Sequence, residues 1–175
     1  MGTPQLPIDV DSETGIWRTD GLPMIYVPQH FFVNNHKAVE EALGAEEYQK
    51  ILFPAGHKSA YFWCDQEAAT HGLSGVAVFE HYLKRLSQRG WGLFSLSAID
   101  VEAGTASVRL DHSAFVQQYG ADAARSVCYM FDGWFAGAME WVGDNLGQPM
   151  KVTCSENQCA CNSDAHHCTF EVTPL

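Results

Sequence analysis

The sequence is short of positive charge and contains no long apolar run. Of its 175 residues, 10 are Lys or Arg and 21 are Asp or Glu, so the formal net charge is −11. An acidic chain without a basic run suits nucleic acid poorly, and we expect no nucleic-acid partner. No stretch of about 18 apolar residues occurs, so we expect no membrane span. Residues 1–20 lack the basic and apolar segments of a signal peptide, which predicts a cytoplasmic protein.

Several motifs of well-known enzymes are missing as well. The sequence has no Walker loop, no dinucleotide-binding G-x-G-x-x-G, no nucleophile elbow and no HExxH motif. The segment Gly90-Trp91-Gly92 lacks the third glycine of a phosphate-binding fingerprint, and we interpret it as a turn. No site for a redox cofactor is therefore visible, and these absences weigh against an enzyme without deciding the question.

The composition is that of a folded globular protein. The chain is 46% hydrophobic, 12% aromatic and 18% charged, and its length suits one domain with one core. Residues 1–35 show little periodicity apart from a short strand at 24–27, and we interpret them as an N-terminal arm on the surface or on a partner subunit. Residues 36–175 are predicted to form a single domain of mixed helices and strands.

Hydrophobic periodicity and turn residues predict the main elements of this domain. Apolar spacing indicates a helix over 36–53, ended by Pro54 and Gly56. A short apolar run at 61–64 follows. The further predictions are a helix over 74–86, a hairpin over 93–110, a short helix over 113–119, a long helix over 123–142, and two strands that begin near 150 and 168.

Two glycines interrupt the apolar stripe of the long helix. Gly133 and Gly137 each cost about 1 kcal/mol relative to alanine inside a helix. Glycines at a spacing of four residues indicate that another backbone or a ligand comes close. We favour tight packing of this helix on the sheet as the reason.

The cysteines are concentrated near the end of the chain. Four of the six lie within fifteen residues, at positions 154, 159, 161 and 168. Cys159 and Cys168 flank a loop between two predicted strands, and Glu156 precedes them. Thiolate, imidazole and carboxylate are the ligands that Zn²⁺ prefers, so the segment predicts a zinc site, with Cys128 as the candidate fourth ligand. Two disulfides, free thiols and an iron–sulfur cluster remain as alternatives.

The same residues resemble the 4-vinyl reductase domain family, over roughly residues 36–174. The matching segments are Gly90-Trp91-Gly92, Val108 to Ser113, Cys128 followed by Gly133 to Gly137, Glu156-x-x-Cys159, and Cys168-x-Phe170. The resemblance implies an α+β (α/β) fold in which an antiparallel sheet packs on helices, similar to the ligand-binding domains of nitric-oxide signalling and Golgi transport proteins. It also implies a homodimer.

Within this family the sensor domains of phenol- and toluene-responsive regulators carry a zinc ion beside a small-molecule pocket. The resemblance implies zinc ligands at Cys128, Glu156, Cys159 and Cys168. The interval between the last two cysteines departs from the family pattern, so Cys161 could replace Cys159. Further donors that the pattern does not include are Cys154 and His167.

The expected ligand is a small apolar or aromatic molecule. The candidate pocket residues are His57, Trp63, Phe79, His81, Phe94, Phe131 and Trp134. Ala114 stands where the aromatic sensors have a tryptophan, which argues against phenol itself. The sequence thus favours a zinc-stabilised binding domain that serves as a sensor, carrier or accessory protein. An enzyme or redox-enzyme subunit that uses the Cys/His cluster, and a dimeric scaffold protein, are the alternatives.

Overall fold

The computed structural model describes residues 5–120, 123 and 125–175. The elements follow one another in this order: β1 (Asp9–Val10), β2 (Trp17–Thr19), β3 (Leu22–Met24), α1 (Gln29–Leu43), α2 (Ala45–His71), α3 (Val76–Gln88), β4 (Leu93–Asp100), β5 (Thr105–Asp111), α4 (Ala114–Tyr119), α5 (Met130–Asn145), β6 (Val152–Gln158) and β7 (His167–Pro174). None of the helices in these residues is both long enough and apolar enough to cross a membrane.

The main sheet has four antiparallel strands in the order β4-β5-β7-β6. On β5 the side chains of Ala106, Val108 and Leu110 are buried and alternate with half-buried neighbours, as the period-two pattern predicts. Across the ladder Val108 pairs with Phe170 and Leu110 with Cys168, so the apolar faces of β5 and β7 meet the helices together. The predicted fold class, an antiparallel sheet packed on helices, is confirmed.

The second helix is much longer than the sequence predicts. α2 runs through Pro54, where we expected a helix to end, and includes the separate run predicted at 61–64. Proline removes one helical hydrogen bond and usually ends or kinks a helix. Here α2 packs along α5, and this tertiary packing outweighs the local signal.

The long helix α5 begins later than predicted. It starts at Met130, and Ala123 and 125–129 are not helical, while 121, 122 and 124 lie outside the described residues. Cys128 therefore precedes the helix instead of lying on it. Its backbone is free to turn toward the sheet, which matters for the site described below.

Gly133 and Gly137 of α5 face another helix and not the sheet. A Cβ added at Gly133 would overlap the carbonyl of Phe53, and one added at Gly137 would overlap the carbonyl of His57. Both carbonyls belong to α2. The predicted close approach of a backbone is present, but the expected partner was wrong, because α5 places Gly133 and Gly137 against α2 and not against the sheet.

The N-terminal region contains more structure than an arm. β1, β2 and β3 form a small antiparallel sheet, and the predicted strand at 24–27 is displaced to Leu22–Met24. The helix expected from residue 36 begins at Gln29, so the predicted boundary at residue 35 falls inside α1. Residues 1–4 of the predicted arm lie outside the described residues.

Candidate metal centre

Four donors meet where α5 begins beside the sheet. Cys128 precedes α5, Glu156 lies on β6, Cys159 follows β6, and Cys168 lies on β7. One ligand atom from each of these residues lies within 4.8 Å of each of the others. Strand alternation explains part of this arrangement, because Glu156 lies on the same face of β6 as the buried Val152.

The sulfur atoms stand at the spacing of a metal site. The Sγ atoms of Cys128 and Cys168 are 3.8 Å apart, and those of Cys168 and Cys159 are 3.9 Å apart. Zinc–sulfur bonds of about 2.3 Å in a tetrahedron place the sulfurs about 3.8 Å from one another. A disulfide would need about 2.05 Å. The cysteines are free thiols in this structure, and the three that meet could hold one ion.

Glu156 has the surroundings of a ligand that needs a cation. Its Oε2 accepts a hydrogen bond of 2.8 Å from the backbone N–H of Cys128. Its Oε1 is buried and has no hydrogen-bond partner among the described residues. Burial, helped by the neighbouring Cys159 sulfur, raises the pKa of Glu156 to about 9. A divalent cation at the centre of the four donors would offset this cost and give Oε1 a partner.

The thiols are arranged to share negative charge. Hydrogen bonds from the thiols of Cys128 and Cys168 lower the pKa of Cys159, whereas burial raises the pKa of Cys128. The Cys168 sulfur also accepts from the backbone N–H of Ala160 at 3.4 Å, and Ser113 Oγ lies 3.1 Å from the Cys128 sulfur. Polar groups around ligating sulfurs stabilise thiolates in metal sites. The donor set therefore suits Zn²⁺, as a closed four-coordinate site.

The alternate donors occupy different positions. Cys161 and Cys154 are buried, but neither belongs to the group of four. His167 directly precedes Cys168 on β7, so its side chain points to the opposite face of the sheet. Its carbonyl accepts a hydrogen bond from the Gln158 side chain.

The seven predicted pocket residues divide among several places. Phe79, Phe94 and Phe131 are buried and meet around Phe135 between the helices and the sheet. Trp134 is half-buried and lies edge-on to Trp91. These rings fill the core with aromatic contacts. A groove of about 370 Å³ has Phe94 in its wall, and a second groove of about 450 Å³ lies near Pro174 with none of the seven in its wall.

The remaining three pocket candidates lie on or near α2. His57 Nε2 lies 3.2 Å from Glu140 Oε2. Trp63 is buried and stacks on His81, with ring centroids 5.8 Å apart. His81 Nε2 in turn lies 2.8 Å from Glu67 Oε2, and His71 approaches the same oxygen at 3.3 Å.

Glu67, His71 and His81 form a second group of donors, which the sequence analysis missed. The signal was present as Glu67-x-x-x-His71, since residues four apart share one face of a helix. It was overlooked because the predicted helix ended at Pro54, which left both residues outside any element.

Comparison with known proteins gives one family and two similar folds. The model of the family described as Domain of unknown function (DUF5943) matches residues 2–97, more than half of the chain. No curated protein matches the sequence significantly.

Two solved structures share the fold. The phenol-responsive sensory domain of the transcription activator PoxR, in complex with phenol, is similar with a TM-score of 0.76 and 16% identity. That match covers 95% of this chain and 84% of the sensory domain. Subunit 3 of a trafficking protein particle complex from Naegleria fowleri, covalently bound to palmitic acid, has a TM-score of 0.52 and 13% identity, with 84% and 95% covered. The structural similarity shows a shared fold, and at these sequence identities it shows the fold alone.

Proposed function

The chain belongs to the DUF5943 family, and we propose that it is a small-molecule-binding domain with a structural zinc ion held by Cys128, Glu156, Cys159 and Cys168. It would serve as a sensor, a carrier or an accessory subunit. The single observation that supports the zinc ion most strongly is the meeting of three buried thiols and a half-buried carboxylate, with two pairs of sulfurs at tetrahedral spacing.

The zinc ion has a structural role in this proposal. Four protein donors leave no open coordination position. The ion joins the start of α5 to β6 and β7, and thereby fixes the helix that carries Phe131 and Phe135 against the sheet. A ligand that enters between these layers would displace some of the rings that fill the core, so the metal would hold the frame in which the pocket opens without taking part in chemistry.

The binding role is supported by the fold and by the aromatic residues. The similar sensory domain binds phenol, and the layer between helices and sheet is rich in aromatic rings here. We expect an apolar or aromatic molecule other than phenol. Ala114 is buried at the start of α4, and its carbonyl accepts a hydrogen bond from Gln29, so this position offers no side-chain donor to a hydroxyl group.

Two further features belong to the same proposal. The resemblance to the 4-vinyl reductase domain family rests on the cysteine and glycine pattern in 90–174. A homodimer remains a prediction, and the N-terminal region provides exposed apolar side chains for it at Val10, Trp17, Tyr26 and Phe31.

Metal content and thermal stability test the zinc proposal. Purified protein should contain one Zn²⁺ per chain at the thiolate cluster by mass spectrometry. Cys168→Ala should lose this ion and several kcal/mol of unfolding free energy, since metal binding to a structural site is folding free energy. Native mass spectrometry of the wild type would show a bound small molecule as an added mass.

Cys64→Ala is the matched control. Cys64 is a fully buried thiol of α2 and belongs to neither donor group. This variant should keep its zinc ion and lose only the packing of one sulfur. A protein that contains no metal, or a Cys168→Ala variant that retains zinc and full stability, would contradict the proposal.

A further inference from the structure

The second donor group lies where three segments of the chain converge. Glu67 and His71 occupy the last two turns of α2, and His81 lies on α3. Asp20, in the turn between β2 and β3, approaches from the small sheet, and its Oδ1 lies 3.4 Å from His71 Nε2. The place is built by residues far apart in sequence and is separate from the cysteine cluster.

The donor atoms are spaced as the ligands of one ion. The Nε2 atoms of His81 and His71 stand 2.8 Å and 3.3 Å from the same oxygen, Oε2 of Glu67. Metal–nitrogen and metal–oxygen bonds of about 2.0–2.2 Å separate neighbouring ligand atoms by about 2.8–3.1 Å in an octahedron and about 3.3–3.6 Å in a tetrahedron. One ligand atom from each residue lies within 4.8 Å of the other two.

Glu67 carries the strongest sign that something is bound here. Its side chain is 0% exposed, and Oε1 has no hydrogen-bond partner among the described residues. A buried carboxylate normally has its oxygens satisfied, because an unpaired buried charge is costly. A cation between the two imidazoles would compensate the charge of Glu67.

Two guanidinium groups lie near Glu67, but neither donates a hydrogen bond to it in this structure. Arg85 is directed mainly at Asp20, with an N···O distance of 2.8 Å, and its Nε stays 3.8 Å from Glu67 Oε2. The guanidinium of Arg89 lies over the Trp63 ring.

The group is closed on one side and open on the other. Glu67 forms the buried floor, and the Trp63 ring stacks on His81. The side chains of His71 and His81 are 30% and 16% exposed, so solvent reaches the imidazole side. Two histidines and one carboxylate with free positions toward solvent are typical of exchangeable transition-metal sites.

We propose that Glu67, His71 and His81 bind a divalent transition-metal ion, distinct from the zinc ion at the cysteine cluster. The ion has three protein ligands and exposes its remaining positions to solvent, with Asp20 and Arg85 as a charge pair beside it. Zn²⁺, Fe²⁺ and Ni²⁺ all suit imidazole and carboxylate ligands. The proposal stands on its own donors and does not depend on the zinc site.

Titration of the full-length, metal-free protein with Co²⁺ separates the two sites. Cobalt bound to thiolates shows intense sulfur-to-metal charge-transfer absorption in the near ultraviolet, which imidazole and carboxylate ligands do not give. The wild type should bind two Co²⁺ ions, of which one develops this band. His71→Gln should bind the second ion about tenfold or more weakly, because even the loss of an outer contact costs about 10- to 100-fold.

His57→Gln is the matched control, since His57 is also a half-buried α2 histidine beside a buried carboxylate, Glu140. No second imidazole belongs to the His57–Glu140 pair among the described residues, so the His57→Gln variant should still bind both cobalt ions. Glu67→Gln should lose the second ion as well, and circular dichroism checks that each variant is folded. A Cys168→Ala variant should lose the charge-transfer band and keep the second ion. If the wild type binds no cobalt ion apart from the one that gives the charge-transfer band, or if the affinity is unchanged in both folded His71→Gln and Glu67→Gln, the proposal is overturned.

Discussion

The two donor clusters of this protein differ in how deeply the fold encloses them. The cysteine cluster lies inside the core, and its three sulfur residues are fully buried between α5 and the sheet. The Glu67 cluster lies between the C-terminal end of α2 and the middle of α3, with a buried carboxylate below and partly exposed imidazoles above. Closed sites of four protein ligands stabilise folds, whereas sites with three protein ligands can exchange a bound group.

Because of this difference, we expect one cluster to stabilise the fold and the other to exchange its metal ion. We call the cysteine cluster the closed cluster and the Glu67 cluster the open cluster. Removal of an ion from the closed cluster would leave the Glu156 carboxylate and three thiols without a counter-charge, and this would destabilise the packing of α5, β6 and β7. Removal of an ion from the Glu67 cluster would leave Glu67 beside the two imidazoles and near Arg85. We therefore expect the cysteine cluster to control the unfolding temperature and the Glu67 cluster to control the affinity for added metal.

The largest effect should come from disturbing the frame that both clusters share. α2 carries Glu67 and His71, and it packs on α5 through Gly133 and Gly137. Gly137→Ala would force a methyl group onto the carbonyl of His57 and push the helices apart. We expect a loss of about 3 kcal/mol of unfolding free energy, measured by urea denaturation, since overpacked cores lose about 1–3 kcal/mol.

Gly56→Ala provides the comparison for this prediction. Its Cβ would meet the side chain of Trp134, which can move, instead of a backbone carbonyl. The loss should therefore be smaller than for Gly137→Ala. Equal losses in the two variants would show that the close backbone approach is not what holds α2 against α5.

The sequence predicted the closed cluster far better than the open one, for a physical reason. Cys159 and Cys168 are close in sequence; Cys159 directly follows β6 and Cys168 lies on the neighbouring β7, so loop length and strand pairing constrain their positions. Glu67 and His81 come together only because α2 continues through Pro54 and turns at Gly72 into α3. That continuation depends on packing against α5, and local propensity indicates the opposite.

The fold shows the same division between local and tertiary control. The alternation of Val108 and Leu110 correctly predicted β5. Successive side chains of a strand point to opposite faces of the sheet, so a strand with one buried face has an apolar residue at every second position. The aromatic residues Phe79, Phe94 and Phe131 were predicted to line a pocket, and the structure brings them together around Phe135 in the core. Periodicity could not tell a ligand cavity from a filled core, since either one requires apolar side chains.

His36, which belongs to neither cluster, should make the stability of the protein depend on pH. His36 is buried, and neither ring nitrogen has a hydrogen-bond partner among the described residues. The groups packed around it are Glu40 on α1, Tyr48 on α2, Phe115 and Tyr119 on α4, Tyr129, and the more distant Arg125. Burial lowers the pKa of His36 from 6.5 to about 4.

The sign of the acid response follows from this shift. Between about pH 6.5 and 4 the unfolded chain binds a proton at His36 that the folded chain does not. Unfolding free energy should therefore fall as the pH decreases, by up to about 1.4 kcal/mol per pH unit. His36→Phe keeps the ring contacts and should remove this part of the slope in urea denaturation, while the exposed His30→Gln should not. An unchanged slope in His36→Phe would assign the acid response to other groups.

The smallest expected effect concerns a contact that belongs to the closed cluster alone. Ser113 caps α4 by accepting hydrogen bonds from the backbone N–H groups of Phe115 and Val116, and its Oγ also lies 3.1 Å from the Cys128 sulfur. Ser113→Ala should cost about 1 kcal/mol of unfolding free energy through loss of the cap. It should also weaken cobalt binding at the thiolates about tenfold, as expected for an outer-shell contact.

Ser107→Ala is the control, because Ser107 also forms a side-chain hydrogen bond, to Glu171, but lies away from both clusters. If Ser113 acts through the sulfur, its variant changes the affinity measured by the charge-transfer band and leaves the second cobalt ion unaffected. If both variants lose stability and neither changes the band, Ser113 acts only as a helix cap. The closed cluster would then owe its affinity to the four donors alone.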